Sequence, residues 1–257
     1  MITSEEVRKI FISFFERRGH KHISSSPLVI REDPSVLFTT AGMQQFKKYF
    51  TQEKNAQQDF GTQRIVSIQK CFRTTDLDNI GDNRHLTFFE MLGNFSFGPV
   101  GSDDPTDYSG SGSFKQSAIT WAYELLSELG LKIDYVSVFK GEGKINFDQA
   151  SYYLWKKLGI AEEKIKRFGL EDNFWGPTGD EGPCGPTTEI YIDDIEVWNL
   201  VFNEYYQDKN KNLTKLKYPG VDTGAGFERL MKVIQKTETI FETDLFEPLR
   251  SNLLSLS

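Results

Sequence analysis

Apolar residues recur along this chain with two different periods, and the periods predict its secondary structure. Val7, Phe11 and Phe14 follow helical spacing behind Thr3 and Glu6, which form the pattern of a capping box. Comparable patterns predict helices over 3–19, 44–49, 114–129 and 147–158 and from 227 onward. Alternating or aromatic-rich segments predict strands over 65–73, 86–97, 135–139, 188–192 and 196–205. This order predicts an α+β domain built on an antiparallel sheet.

Three glycine-bearing segments lie between these elements. Residues 176–186, GPTGDEGPCGP, are predicted to form a constrained binding loop, although an ordinary surface loop fits as well. Residues 221–226, VDTGAG, read as a turn that opens the helix after them. Residues 99–113, PVGSDDPTDYSGSGS, have the composition of a flexible inserted loop.

Length and composition limit the class of protein. The 257 residues are 38% hydrophobic and 14% aromatic, enough for the core of one large domain or of two closely packed ones. No apolar run approaches the roughly 20 residues of a membrane span. The N-terminal segment reads as an amphipathic helix and not as a signal peptide, so a cytoplasmic location without membrane contact is expected.

The net charge of −7 is unevenly distributed. Residues 1–73 carry 12 basic and 7 acidic side chains, whereas residues 74–257 carry 18 and 30. The first third could therefore tolerate the approach of an RNA end, although a solvated basic helix face explains the excess equally simply.

The cysteines do not form a metal-binding pattern. Cys71 and Cys184 are not spaced with His20, His22 or His85 as zinc ligands are, so no zinc is expected. A disulfide is not expected either, and both thiols are predicted to be small buried apolar groups. The His20–His22 run is predicted to be solvated after a helix end.

Residues 72–97 have the side chains of an ATP-binding hairpin. Arg73 leaves a strand, a polar loop follows, and Arg84, His85 and Phe89 come on the return. An arginine can bind a phosphate with two donors, and an aromatic ring can stack on adenine. An aromatic hairpin with solvated loop charges would explain the same residues.

A second segment, residues 221–230, supports the nucleotide hypothesis. Asp222 precedes the glycines, and Arg229 lies about one turn inside the predicted helix. A helix start can approach an anion. The alternative is a plain helix start with a surface pair of Glu228 and Arg229.

Together these segments resemble motifs 2 and 3 of the class II aminoacyl-tRNA synthetases. Their sequences are similar to those of the alanyl-tRNA synthetase family. The resemblance spans nearly the whole chain. It is carried by DPSVLFTTAGMQQFKKYF, HLTFFEMLGNFSFG, DNFWGPTGDEGPCGPTTEIY, EVWNLVF and VDTGAGFER. It implies a class II antiparallel sheet flanked by helices, activation of alanine with ATP, and transfer of alanine to the acceptor end of tRNA(Ala).

The resemblance also implies roles for individual residues. The ATP-binding set would be Arg73, Arg84, His85, Phe89, Glu90, Met91 and Arg229. Within it, Arg73 would contact the α-phosphate as the catalytic residue, and Phe89 and Arg229 would enclose the adenine. The alanine-binding set would be Trp175, Asn199, Val201, Asp222 and Gly224, with Asp222 holding the ammonium group. Mg²⁺ would accompany ATP; its ligands are not assigned, and Glu189 is a candidate.

Some features depart from the family. The loop between Arg73 and Arg84 is shorter than usual, Leu86 replaces a second histidine, and residues 99–113 look inserted. Residues 1–257 are expected to form one catalytic domain without an editing or C-terminal module, and no obligatory protein partner is expected. Two alternatives stay open: a stand-alone alanine-adenylating ligase with another acceptor, and a synthetase-like module that binds without catalysis.

Overall fold

A computed structural model describes residues 2–29, 36–74, 77–82, 84–98 and 114–256. The loop predicted over 99–113 lies outside these described residues. Within them, no helix combines the length and the apolar character needed to cross a membrane.

The helices follow the predicted periodicity in most places. Thr3 Oγ1 accepts the Glu6 backbone N–H at 3.3 Å and Glu6 Oε2 accepts the Thr3 N–H at 2.8 Å, which confirms the capping box. The α-helices are α1 (Ser4–Glu16), α2 (Lys47–Phe50), α3 (Ala56–Phe60), α4 (Phe114–Glu128), α5 (Gln149–Lys157), α6 (Leu170–Asn173), α7 (Phe227–Gln235) and α8 (Glu247–Ser255). Short 3₁₀ helices cover Gly42–Phe46, Leu77–Asn79, Glu162–Lys164 and Ile240–Glu242.

The strands form one mixed, mainly antiparallel sheet. They are β1 (Lys21–His22), β2 (Arg64–Phe72), β3 (Phe88–Ser96), β4 (Tyr135–Phe139), β5 (Ile165–Phe168), β6 (Phe174–Trp175), β7 (Gly182–Ile192), β8 (Ile195–Gln207) and β9 (Leu213–Gly226). Their order is β1-β2-β3-β9-β8-β7-β4-β5, with β6 beside β7. Among the strand pairs of the described residues, only the outer pairs β1–β2 and β4–β5 are parallel. The α+β prediction is confirmed.

The two faces of the sheet bury different sets of side chains. On one face the main apolar core packs α1, α4, α5 and α7 against the sheet, with residues such as Phe11, Trp155, Trp198 and Leu230 inside it. On the other face a smaller core around Phe46, Phe95 and Phe97 covers part of the sheet. The remainder of that second face is open.

Two glycine-rich segments predicted as a turn and a loop are strands in part. Residues 221–226 form the end of β9, between β3 and β8. Residues 182–186 form the start of β7, so the predicted loop is limited to its first half. In β7, Gly185 lies so close to the Phe202 carbonyl of β8 that a Cβ has no space. Here glycine marks a close approach of two backbones and not a turn.

Two further predictions concern buried polar and sulfur groups. Cys71 and Cys184 are free and buried, as predicted. His20 was predicted to be solvated, and this was wrong, because its ring is only 5% exposed and contacts Phe15 and Trp121. Burial and the nearby Arg64 lower the pKa of His20 to about 3, so the imidazole is neutral at ordinary pH.

Candidate active site

A cavity of about 310 Å³ lies on the open face of the sheet, over the central strands. Because side chains alternate along a strand, Asp222 and Gly224 of β9 face this cavity, while Val221 and Ala225 belong to the main core on the other side. The predicted site residues that line the cavity are Arg73, Arg84, His85, Phe89, Met91, Trp175, Asn199, Val201, Asp222, Gly224 and Arg229.

Glu90 is the predicted site residue whose side chain does not line this cavity. It lies between Phe89 and Met91 on β3, so the alternation of the strand directs it to the opposite face. There its carboxylate pairs with Arg8 of α1, at 2.6 Å from Nη2 and 2.8 Å from Nε. A contact between adenine and Glu90 would therefore have to use the backbone.

The arginine that ends the first hairpin strand is held at the edge of the cavity. Arg73 follows β2 directly, and its backbone N–H donates to the Thr87 carbonyl at 2.8 Å. Its Nε donates to the Thr40 carbonyl at 2.8 Å, which directs the guanidinium beside Phe89, with 5.2 Å between Cζ and the ring centroid. A cationic fork beside a flat ring is suited to a nucleotide phosphate next to its base.

His85 is positioned by a carboxylate in the same loop. Its Nδ1 lies 2.7 Å from Asp82 Oδ2, and Asp82 Oδ1 accepts the His85 backbone N–H at 2.7 Å. Partial burial raises the pKa of Asp82, but hydrogen bonds from His85 and from the Arg84 backbone outweigh it and lower the pKa to about 2. The ionised Asp82 thus fixes the orientation of the His85 ring through Nδ1. An imidazole that carries both protons could in addition donate from Nε2 to an anion.

Arg229 lies in the first turn of α7 and is tied to two other segments. Its Nε donates to the Arg84 carbonyl at 3.1 Å, and its Nη1 donates to Glu196 Oε2 at 3.1 Å and to the Glu196 carbonyl at 3.3 Å. These bonds hold the guanidinium at the rim of the cavity. The end of β9, the start of α7 and the hairpin loop therefore meet at one side of the site.

The opposite side of the cavity is small and carries the buried carboxylate of Asp222. Asp222 is 6% exposed and pairs with Val201 across β8 and β9, while Asn199 pairs with Gly224. A Cβ at Gly224 would lie 2.8 Å from the sulfur of Met91, so glycine allows Met91 to pack against this strand. Trp175 enters from β6. A cationic group of a small ligand would match Asp222 in charge.

Burial acts on the acidity of the carboxylates in this region. It raises the pKa of Asp222 to about 7, and the Arg73 guanidinium opposes the rise. Burial likewise raises the pKa of Glu228 to about 7, against hydrogen bonds from the Glu90 and Glu228 backbones. Burial and repulsion from Glu196 raise the pKa of Glu189. Such shifts are concentrated at functional sites.

The raised pKa of Asp222 leads to a prediction about stability. The unfolded chain ionises this group near 3.8 and the folded protein near 7, so its burial lowers the free energy of unfolding as pH rises between these values. We expect Asp222→Asn to raise that free energy at pH 8 by up to about 4 kcal/mol, and by less at pH 5. Urea unfolding at both pH values measures it. An effect that is the same at pH 5 and pH 8 would contradict the prediction.

Several residues of the site were missed by sequence reasoning. The Asp82 carboxylate holds the His85 ring, and the Glu196 carboxylate holds Arg229. The Glu228 carboxyl group accepts the backbone N–H of Glu90. The three-residue interval between Asp82 and His85 is a signal that could have been found. The contact of Arg229 with Glu196 depends on strand pairing, and no local pattern shows it.

Comparison with known proteins agrees with this arrangement. The family model for "tRNA synthetases class II (A)" matches residues 6–256. The alanine--tRNA ligase of Petrotoga mobilis is 44% identical over 271 residues, which cover 95% of this chain and 28% of the relative. That of Dehalococcoides mccartyi is 39% identical over 280 residues, which cover 100% and 30%. The chain thus spans about 30% of the length of these relatives.

Solved structures agree at the level of the fold. A pyrrolysyl tRNA synthetase from Desulfitobacterium hafniense has a TM-score of 0.54 to this chain, over 93% of this chain and 71% of that one, at 14% sequence identity. At this identity the likeness concerns the fold alone. The central antiparallel strands, the cavity above them and the match over residues 6–256 agree, and the chain belongs to the class II tRNA synthetases (A).

Proposed function

We propose that this chain activates L-alanine with ATP to form alanyl-adenylate and pyrophosphate, and then transfers alanine to the 3′ end of tRNA(Ala). One observation carries the proposal: a single cavity holds Arg73 and Phe89 at one side and the buried Asp222 at the other. The relatives that match the whole chain are alanine--tRNA ligases, which supports alanine as the amino acid.

In the first step a carboxylate oxygen of alanine attacks the α-phosphorus of ATP. That carboxylate oxygen forms a new bond to the α-phosphorus. The bond from the α-phosphorus to the oxygen that bridges to the β-phosphate breaks, and pyrophosphate leaves with the electron pair. The alanine carboxylate is already ionised, so no general base is needed. Arg73 would stabilise the charge on the α-phosphate, His85 would contact the terminal phosphates, and Asp222 would orient the ammonium group.

In the second step a terminal ribose hydroxyl of tRNA attacks the carbonyl carbon of the adenylate. The new ester bond forms, the bond to phosphate oxygen breaks, and AMP leaves while the hydroxyl proton is released. The protein needs no covalent nucleophile for either step. Positioning and neutralisation of phosphate charge are therefore the main contributions expected from these side chains.

Mg²⁺ is the expected companion of ATP, where it would neutralise the phosphates. The described residues contain no group of three or more His, Cys, Asp or Glu side chains arranged around a metal position. That suits Mg²⁺, which proteins commonly bind through one or two carboxylates together with substrate phosphates. Glu171, Asp172 and Glu196 line the cavity and could supply such oxygens, whereas the oxygens of Glu189 already accept three hydrogen bonds.

The remaining parts of the proposal concern organisation and partners. We infer that residues 1–257 act as one aminoacylation domain and that the tRNA acceptor end is its macromolecular substrate. Neither a membrane nor an obligatory protein partner is part of the proposal. The cytoplasm, where ATP and tRNA meet, is the proposed location.

Two assays in series test the function. Alanine-dependent exchange of pyrophosphate into ATP should occur with the purified chain, and labelled alanine should then be transferred to tRNA(Ala). Exchange without transfer would favour either a catalytic fragment that cannot charge tRNA alone or a ligase with another acceptor. Absence of both reactions, in a folded protein, would favour the binding module and overturn the proposal.

The small pocket leads to a prediction about selectivity. Glycine lacks one methyl group and serine adds one hydroxyl group, and such differences are typically worth only about 1–3 kcal/mol. We expect pyrophosphate exchange with glycine and serine at kcat/KM values roughly 10- to 200-fold below that for alanine. Valine, which is too large beside Trp175 and Val201, serves as the control and should give none. Discrimination against serine above about 10⁵ would contradict the pocket argument.

A further inference from the structure

Glu189 is a buried carboxylate that lines the cavity but takes no part in the alanine or tRNA contacts described above. It lies on β7, directly opposite Asn199 of β8, and is 6% exposed. It accepts hydrogen bonds from the Tyr191 hydroxyl at 2.7 Å, the Ser137 hydroxyl at 3.1 Å and Asn199 Nδ2 at 3.3 Å. Three donors from three side chains thus converge on the two oxygens of this carboxyl group.

The bond to Glu189 determines which way the Asn199 amide faces. Asn199 directs its NH₂ group toward β7, where Nδ2 donates to Glu189 Oε1. At the other end of the amide, Oδ1 is buried and receives no hydrogen bond within the described part of the chain. Nothing seen on the Oδ1 side fixes the amide, and the contact with Glu189 therefore does so.

The same carboxylate is connected to the opposite wall of the amino-acid side of the cavity. Ser137 Oγ, which donates to Glu189, accepts a hydrogen bond from Asn173 Nδ2 at 2.8 Å. Asn173 is the last residue of α6 and lies two residues before Trp175. One buried network thus joins β4, β7, β8 and the segment that carries Trp175.

We propose that Glu189 is a positioning residue that orients the Asn199 amide for the amine of the amino-acid substrate. Asn199 and Asp222 face the cavity from adjacent strands, in a diagonal relation with a spacing of about 7–8 Å, so an ammonium group can lie between them. Glu189 acts on this subsite through Asn199 and touches neither the phosphates nor the adenine. The inference rests on the proposed alanine activation and extends it to a residue outside motifs 2 and 3.

Two substitutions at this position separate positioning from direct charge contact. Glu189→Ala removes the acceptor for Asn199 Nδ2 and frees the amide to turn. Glu189→Gln keeps an acceptor oxygen for Asn199, since the Tyr191 and Ser137 hydroxyls can accept from the new NH₂ group. If Glu189 instead bound Mg²⁺ or the ammonium group by its charge, both substitutions would reduce pyrophosphate exchange by about the same factor.

The test measures KM for alanine and for ATP in pyrophosphate exchange, with calorimetric titration of both ligands and thermal unfolding as a folding control. We expect Glu189→Ala to raise the KM for alanine at least about tenfold and to leave the KM for ATP within about twofold. Glu189→Gln should stay within about threefold of the parent protein. In an Asn199→Ala background, Glu189→Ala should add less than about threefold, because coupled residues are not additive.

Other outcomes overturn the inference in distinct ways. If Glu189→Gln and Glu189→Ala raise the KM for alanine equally, Glu189 acts by its charge. If Glu189→Ala has its full effect on that KM in the Asn199→Ala background, Glu189 does not act through the amide. An equal rise in both KM values would indicate a general structural role. If the parent protein neither binds alanine nor supports exchange, the proposed function itself is wrong and this inference falls with it.

Discussion

Arg73→Ala is expected to reduce alanine-dependent pyrophosphate exchange by roughly 10³- to 10⁵-fold, the range seen for arginines directed at a transferring phosphate. The guanidinium is fixed at the cavity edge by the Thr40 carbonyl and lies beside Phe89, where the α-phosphate of a stacked nucleotide would be placed. Arg84 and Arg229 line the same cavity, but Arg229 is held at its rim by Glu196 and the Arg84 carbonyl.

Two control variants refine the Arg73 prediction. Arg73→Lys keeps the charge but loses the two-pronged donor geometry, so its activity should fall between that of the parent protein and that of Arg73→Ala. Arg17→Ala removes an arginine just after α1 that is 57% exposed and should leave exchange unchanged. Circular dichroism and thermal unfolding check that each variant folds. A loss of pyrophosphate exchange below tenfold in folded Arg73→Ala protein would contradict the assignment of Arg73 to the α-phosphate.

The second large effect is expected at the other side of the cavity. Asp222→Asn should raise the KM for alanine by the equivalent of roughly 2–5 kcal/mol, about 30-fold to several thousand-fold, because it removes the charge that would face the ammonium group. The KM for ATP should change by no more than a few fold. Steady-state exchange with each substrate varied in turn measures both constants.

The same variant is expected to be more stable than the parent protein at pH 8, so lower activity could not be attributed to unfolding. Stability and alanine binding should therefore change in opposite directions. Equal effects of Asp222→Asn on alanine and ATP would mean that Asp222 has a structural role and does not hold the substrate.

Local patterns predicted much of this fold because several of its elements are determined locally. The capping box and the apolar stripe located α1, and the aromatic alternation located β2 and β3 within a few residues. Side chains alternate along β3, which also explains why Phe89 and Met91 lie on the same face of the sheet. The same rule, applied to Glu90, would have placed its side chain away from the cavity.

The elements that were missed are those that depend on tertiary contacts. Strand β9 begins with the mostly exposed, lysine-rich sequence LTKLK and ends with VDTGAG, so it shows neither an apolar alternation nor strong strand propensity. It is a strand because β3 and β8 supply hydrogen-bonding partners on both sides. The pairing of Glu189 with Asn199 was equally invisible, since it depends on the register between β7 and β8.

The alternation of β9 has a consequence for evolution and redesign of substrate range. Val221 and Ala225 contribute to the helical core, while Asp222 and Gly224 contribute to the cavity, although all four share one short stretch of backbone. Replacement of Asp222 can change what is bound without altering the main core, whereas any side chain at Gly224 would meet the sulfur of Met91. Insertion or deletion of a single residue would instead turn the cavity-facing side chains toward the main core and the core side chains toward the cavity. A change in the length of this segment is therefore expected to cost more stability than a change of side chain at Asp222.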